Sequence, residues 1–386
     1  NKLNKTDAIG KKGTGEGAEI FNKYETNEED GNANVASGRF SHAEGWSTQA
    51  LSEGAHAEGW NSTADNSGAH AEGSARASGV YSHAEGSAIA TNSFSHAEGN
   101  SEASGEYSHA EGENTKAQGE ASHSEGQQTV ALSISSHAEG TNTRAENTGA
   151  HSEGGGTVAS GYNAHAEGNG SKAIGDISHA EGLNTYAGAE GASSHGYQSI
   201  AGLTAFTYGV TNSTSKTYTL NSVTGLAVND VFSIIENNNV YLDCGKITKI
   251  ETSTKTVTVN NFRGETYSSS GVHGYFFVKE KIGIGTTHLG DYSFAEGQET
   301  LTIGETSHAE GSNTKAIGNY SHAEGYGTQA QGEATHAEGM DTVASEQGAH
   351  SEGLGTSAKA PRAHAEGYAT RALGVSSHAE GQETVA

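Results

Sequence analysis

Small side chains and large polar ones alternate along most of this chain, in a pattern that returns every 13 or 14 residues. In the copy that begins at Ser108, Ser108 and Ala110 fall on one side of an extended backbone, and His109 and Glu111 fall on the other. The reason is that alternate side chains of a strand point to opposite faces. After a turn at Gly112, Thr115, Ala117 and Gly119 form a second alternating set. The slot between Thr115 and Ala117 accepts almost anything: Lys116 here, and Gln49, Val130, Arg144, Lys172, Tyr186 and Arg371 in other copies. Each repeat therefore predicts two short strands joined by glycine turns, with small faces opposed across a thin interior. Glycine at a fixed place and Ser/Thr alternation oppose a helix.

The constant part of the repeat is His-(Ala or Ser)-Glu-Gly, which occurs 17 times, from His42 to His179 and again from His308 to His378. A short fixed period is the signature of a solenoid, in which each repeat is one rung and neighbours stack. The expected architecture is all-β: a parallel β-roll solenoid of 13–14-residue rungs. Rungs spaced at about 4.8 Å would make roughly 20 rungs into a rod of about 95 Å.

The period breaks between about Leu203 and Lys281. There, aromatic residues such as Phe206, Tyr218, Phe232, Tyr241, Phe262 and Phe276 gather. Alternation in Lys255–Val259 and in Val240-Tyr241-Leu242 reads as strand. Asn237-Asn238-Asn239 and Arg263-Gly264-Glu265 read as turns. The organisation expected is a lead-in or cap over 1–27, a first β-roll segment over 28–203, an inserted small antiparallel β-domain over 204–281, and a second β-roll segment over 282–386. That last segment would open on a degenerate rung marked by Gly283, Thr286 and Gly290. Phe294 then stands in the His slot. The chain begins at Asn1 and ends partway through a repeat, which reads as a piece of a longer polypeptide.

Composition sharpens this picture. Of 386 residues, 55 are Gly and only 32% are hydrophobic, many of them Ala. Ala, Ser and Thr bury little apolar surface, at about 25 cal/mol per Å², while ordering each residue costs on the order of 1–2 kcal/mol. The single Cys244 excludes an internal disulfide framework. A lone roll is thus short of stabilisation, and association along its length is expected to supply the rest. The face available is the one whose large side chains never vary. The expected subunit interface is accordingly His42, Glu44, His56, Glu58, His109, Glu111, His137, Glu139, His165 and Glu167 in the first segment. In the second it is His308, Glu310, His322, Glu324, His336, Glu338, His364 and Glu366. The net charge of −26 argues against nucleic acid or an anionic membrane as partner. No run of about 18 apolar residues exists to span a bilayer.

The rung Ser-His-Ala-Glu-Gly followed by Thr-x-Ala-x-Gly resembles the YadA-like (Hep/Hag) head repeat of trimeric autotransporter adhesins. That resemblance implies a left-handed roll and a homotrimer. The family's apolar pair facing the neighbouring subunit is replaced here by His and Glu, as at His322 and Glu324, so the interface becomes polar. The stretch Gly17–Tyr24, running into Ser37–Ser41, is similar to prophage-encoded appendage and tail-fibre proteins, which often end in a self-cleaving chaperone domain not found in this sequence. The function implied is a structural and adhesive fibre, on a virion appendage or at the cell surface, that binds a host cell-surface receptor, glycan or protein. A bacterial surface adhesin and a tail-associated glycan hydrolase are the alternatives. The aromatic-rich insert is expected to hold most of the partner specificity.

Other readings of the repeat are weaker. His-x-Glu puts two metal ligands on one strand face, yet strong zinc signatures use a few ligands at distinct spacings. No cofactor and no metal is expected. The Thr column (Thr115, Thr129, Thr143, Thr157; Thr314, Thr328, Thr342, Thr356) is expected inside, rather than as a flat ice-binding face. Cys244 reads as a structural thiol, and His273 and His288 as ordinary polar residues. An active site would be a local exception to a uniform Glu column, so no enzyme activity is expected. Two pH responses are open: if Glu pairing dominates, His pKa values rise and stability is lost as pH rises, and if desolvation and His–His repulsion dominate, they fall and acid destabilises; the acidic net charge favours the first.

Overall fold

The computed structural model of the chain describes residues 11–21 and 34–202, the strands between 207 and 278 with a few linking positions, and residues 290–386. Two compact units divide it, 1–163 and 164–386. All helix or strand assigned among the described residues is β-strand.

In the first unit, nine strands begin at a His, from His42–Trp46 to His151–Gly155. Each residue pairs in parallel with its own kind one rung on: His42 with His56, Ala43 with Ala57, Glu44 with Glu58, Gly45 with Gly59, Trp46 with Trp60. A second, two-residue strand completes the rung, as Gln49–Ala50 does beside Thr63–Ala64. At the start, Lys11–Lys12 runs antiparallel to Glu19–Phe21, which adds in parallel to His42–Trp46. That part of the expected 1–27 lead-in therefore stacks on the first rung. The rest of it lies outside the described residues.

The small faces meet as the alternation requires. Ala43, Ala50 and Thr48 are fully buried. Ser124 Oγ and Thr129 Oγ1 belong to opposite strands of one rung, yet lie 2.8 Å apart. The interior is two small side chains thick. Where Ala holds the Ser124 position, the facing threonine often has no hydroxyl partner, as at Thr115 and Thr143. A buried unsatisfied hydroxyl costs about 1–3 kcal/mol, so these rungs give away stability that their Ser-bearing neighbours keep.

Three tight corners close each 14-residue rung. Gly112 sits at φ 117°, and a Cβ there would run into the carbonyl oxygen of Gly126. The other two corners use left-handed backbone at residues that are mostly not glycine, such as Asn114 and Tyr107, both at φ 57°, with Gly in some rungs, as at Gly156 and Gly149. The first of these had a legible signal, since Asn114, Asn142, Asn184 and Asn313 recur there and Asn visits this region more readily than most residues. The Tyr107 corner had a weaker one, Gly in some rungs, as at Gly54, Gly68, Gly149, Gly191 and Gly348, among residues as unlike as Tyr, Phe, Ile and Arg.

In the second unit, the coil runs through His165–Asn169, His179–Leu183 and Ser193–Tyr197, and later through His308–Ser312 to His378–Gln382. Ser193–Tyr197 pairs directly with Phe294–Gln298, Ser193 opposite Phe294. No separate rung stands between them. Gly290, expected in a degenerate rung of its own, instead helps to finish the rung that Ser193 begins: the Ser293 amide donates to the Gly290 carbonyl, and the Ser193 amide donates to the Ser293 carbonyl. Gly283 and Thr286 lie outside the described residues.

Between the halves of this rung, six strands pair antiparallel in a closed order: Thr207–Ser213, Thr217–Leu220, Thr256–Asn261, Asn239–Glu251, Val231–Glu236 and Gly274–Val278, the last returning to the first. Tyr218, Leu220, Ile247 and Val257 are buried. The two expected strand stretches fall in Asn239–Glu251 and Thr256–Asn261. Glu236 pairs with Asn239 across the expected Asn turn. Arg263-Gly264-Glu265, the side chain of Cys244, His273 and His288 lie outside the described residues.

Candidate functional site

The expected site residues occupy positions one and three of the first strand in each rung. Parallel in-register pairing stacks them into a His column and a Glu column, within each unit. Successive imidazole centroids in the first unit lie 4.7 Å apart from His42 to His56 and 4.9 Å apart from His109 to His123. In the second unit they lie 4.8 Å apart from His308 to His322 and 4.6 Å apart from His364 to His378. The column continues past the insertion through Phe294, whose ring lies 5.1 Å from His308.

Within a rung, Nε2 of His faces the Glu carboxylate without reaching it. The separations are 3.5 Å for His42–Glu44, 3.9 Å for His109–Glu111, 3.5 Å for His336–Glu338 and 3.8 Å for His364–Glu366. These exceed hydrogen-bond range. The Nε2 atoms of His56, His109, His137, His308, His322, His336 and His364 are buried with no hydrogen-bond partner among the described residues. The rings around them stay half exposed.

Stacking decides the electrostatics. Nine His residues, His56, His70, His83, His96, His109, His137, His179, His322 and His350, have pKa values below the ordinary value of 6.5. Desolvation by the neighbouring rungs is the larger cause, followed by repulsion from the adjacent His. The Glu columns oppose both and lose. This is the second of the two cases, not the favoured one: burial by the stacked rungs, and then the next imidazole within 5 Å, outweigh an acidic charge spread over a solvated surface.

Other expectations resolve simply. The Thr column faces the interior, with Thr115, Thr129, Thr314 and Thr342 buried, so it offers no flat outer face. Donor atoms of Glu72, His83 and Glu85 lie within 4.8 Å of one another, as do those of Glu167, His179 and Glu181. Each of these two sets has the donors for a divalent cation.

One rung departs from the uniform columns. Ser193 stands in the His slot and His195 in the Glu slot. The Ser193 hydroxyl donates to Nε2 of His195 at 2.7 Å, and the His195 Nδ1–H donates to the Glu181 carboxylate at 3.1 Å. The order is that of a nucleophile, base and carboxylate. The Ser193 amide, however, is committed to the Ser293 carbonyl at 2.8 Å. Beside it the variable outward slot turns inward in character: Tyr186, Ile200, Leu301 and Lys315 are buried, and burial pushes the Lys315 ammonium down to about 8.

Sequence reasoning missed position five, the residue after the turn glycine. It lies on the same strand as His and Glu and repeats in register. In the second unit Tyr326, Met340, Leu354 and Tyr368 line up there, all well exposed. In the first unit the position holds Trp46 and Trp60. The signal was available as a column of large apolar residues that varies in identity.

No protein-family model matches the sequence, and no curated protein matches it.

Proposed function

We propose that this chain is part of a homotrimeric β-roll fibre, exposed on a virion appendage or a cell surface, which attaches to a host cell-surface receptor. The observation that carries the reading is the contrast between the two faces of the first strand. The inner face is Ala, Ser and Thr, already buried and too small to stabilise a long coil. The outer face repeats half-exposed His, half-exposed Glu and, in the second unit, a stripe of exposed Tyr, Met and Leu. Covering that face along its length removes apolar surface from water and gives the stranded Nε2 atoms a place to find partners. The threefold comes from the resemblance of the rung to the trimeric adhesin heads. Light scattering on the purified chain tests it. A trimer supports the reading, and a folded monomer near 39.5 kDa removes it.

A further inference from the structure

The two tryptophans of the chain stack on each other, Trp46 and Trp60, with ring centroids 5.4 Å apart and planes at 12°. Immediately beyond them the coil changes length. The rungs that start at His70, His83 and His96 hold 13 residues instead of 14. The missing residue belongs to the corner after the glycine: Trp60 and Asn61 separate Gly59 from the inward Ser62, but only Ser74 separates Gly73 from the inward Ala75. The shortened corners are firmly held, with the Ser74 amide on the Gly86 carbonyl at 2.6 Å and the Ser87 amide on the Gly99 carbonyl at 2.7 Å.

Two rungs with indoles followed by short rungs with Gly and Ser make a step in the surface. The step is a groove of about 600 Å³. Trp60, 57% exposed, and Trp46 line it on one side with Glu44 and Glu58 beside them, and Gly73, Ser74, Gly86 and Ser87 line the other.

We propose that this groove binds a neutral pyranose glycan. The two indoles cover one face of each other, so one flat apolar face of Trp60 is left to meet a ligand. That suits the C–H face of a sugar ring, which is flat and apolar while its edges carry hydroxyls. The Glu58 carboxylate accepts from those hydroxyls, and the Ser74 and Ser87 side chains both donate and accept. A few placed polar groups on a concave apolar wall are what a small-molecule site needs. The carboxylates and the net charge of −26 repel an acidic sugar. A quaternary ammonium is best held between several ring faces that enclose it, whereas here the two indoles stack on each other and do not form a cage. The inference is separate from the fibre reading and partly competes with it: Glu44 and Glu58 lie on the face that the proposed trimer covers, so sugar binding requires that this face stay open beside Trp60.

Tryptophan emission, excited selectively over the 15 tyrosines, reports on this groove alone, since both tryptophans lie in it. Titrating the full chain with maltotriose, chitotriose or lactose should give a saturable change in emission with at least one of them. By calorimetry, Trp60→Ala should weaken that sugar by about tenfold or more, the loss of a central aromatic contact. Inserting one Gly between Ser74 and Ala75, which restores the rung to full length and leaves both indoles in place, should weaken it likewise. Circular dichroism checks that both variants keep the coil. No response to any of the three sugars overturns the inference. So does a response only to choline or to N-acetylneuraminic acid, or unchanged affinity in folded Trp60→Ala. The oligomeric state, measured on the same sample, reports on the fibre reading separately.

Discussion

A Cβ placed on Gly290 would come within 2.8 Å of the Cα of Gly202. The two glycines are the stems of the insertion, and they stand side by side in one rung. Ser193 through Gly202 supply its first part and Gly290 through Ser293 its last, which together make 14 residues, the length of an ordinary rung. An insertion whose ends meet leaves the host ladder intact. Joining Gly202 directly to Gly290 should therefore give a protein with the same parallel coil and nearly unchanged thermal stability. A melt that collapses, with the β-signal lost by circular dichroism, would show that the insert is needed to complete the rung. If the insert holds the partner specificity expected from its aromatics, the same variant loses attachment to target cells.

Interior hydroxyls offer a simple gain. Ser124 and Thr129 pair at 2.8 Å, and Ser152 and Thr157 do the same, while Thr115 faces Ala110 and has no partner. Ala110→Ser should supply one and stabilise the protein by about 0.5–1.5 kcal/mol. Chemical denaturation checks it; a loss of stability would mean the rung is too thin for the added oxygen.

Acid should unfold or dissociate the coil. The shifted His residues bind protons less readily folded than unfolded. At pH well above 6.5 both states are neutral there and nothing is lost. As pH falls through the unfolded value of about 6.5 toward the lowered folded values, the unfolded state takes up more protons and stability drops. Melting temperatures measured between pH 8 and pH 5 should fall with pH by several degrees. A rise on acidification would mean that Glu pairing governs the column.

Paired and single changes at one rung test the interface. If the proposed trimer covers this face, His336→Val with Glu338→Ile together should be nearly neutral, because both polar partners leave at once. His336→Val alone should cost about 1–3 kcal/mol, because Glu338 then enters the interface without a donor. Negligible losses in both, read from thermal melts, would place this face in solvent.

The repeat made most of the fold legible. Alternation placed Ser108, Ala110, Thr115 and Ala117 inside, and they are inside, because strand geometry leaves a side chain only two faces. A fixed period placed His over His and Glu over Glu, because register in a stacked coil is the period itself. Effects that depend on distance were not legible. The sequence put His and Glu on one face and left the sign of the His pKa shifts open; only the coil shows how far stacked rungs bury each imidazole and bring the next within 5 Å, and burial first and repulsion second set the sign. The loss of one residue after Gly73 is visible in the letters. That it opens a groove beside Trp60 depends on how a short corner stacks on a long one. Likewise Gly202 and Gly290 are neighbours only once the ladder is built, since contact across an insertion is set by hydrogen bonding between rungs and not by separation along the chain.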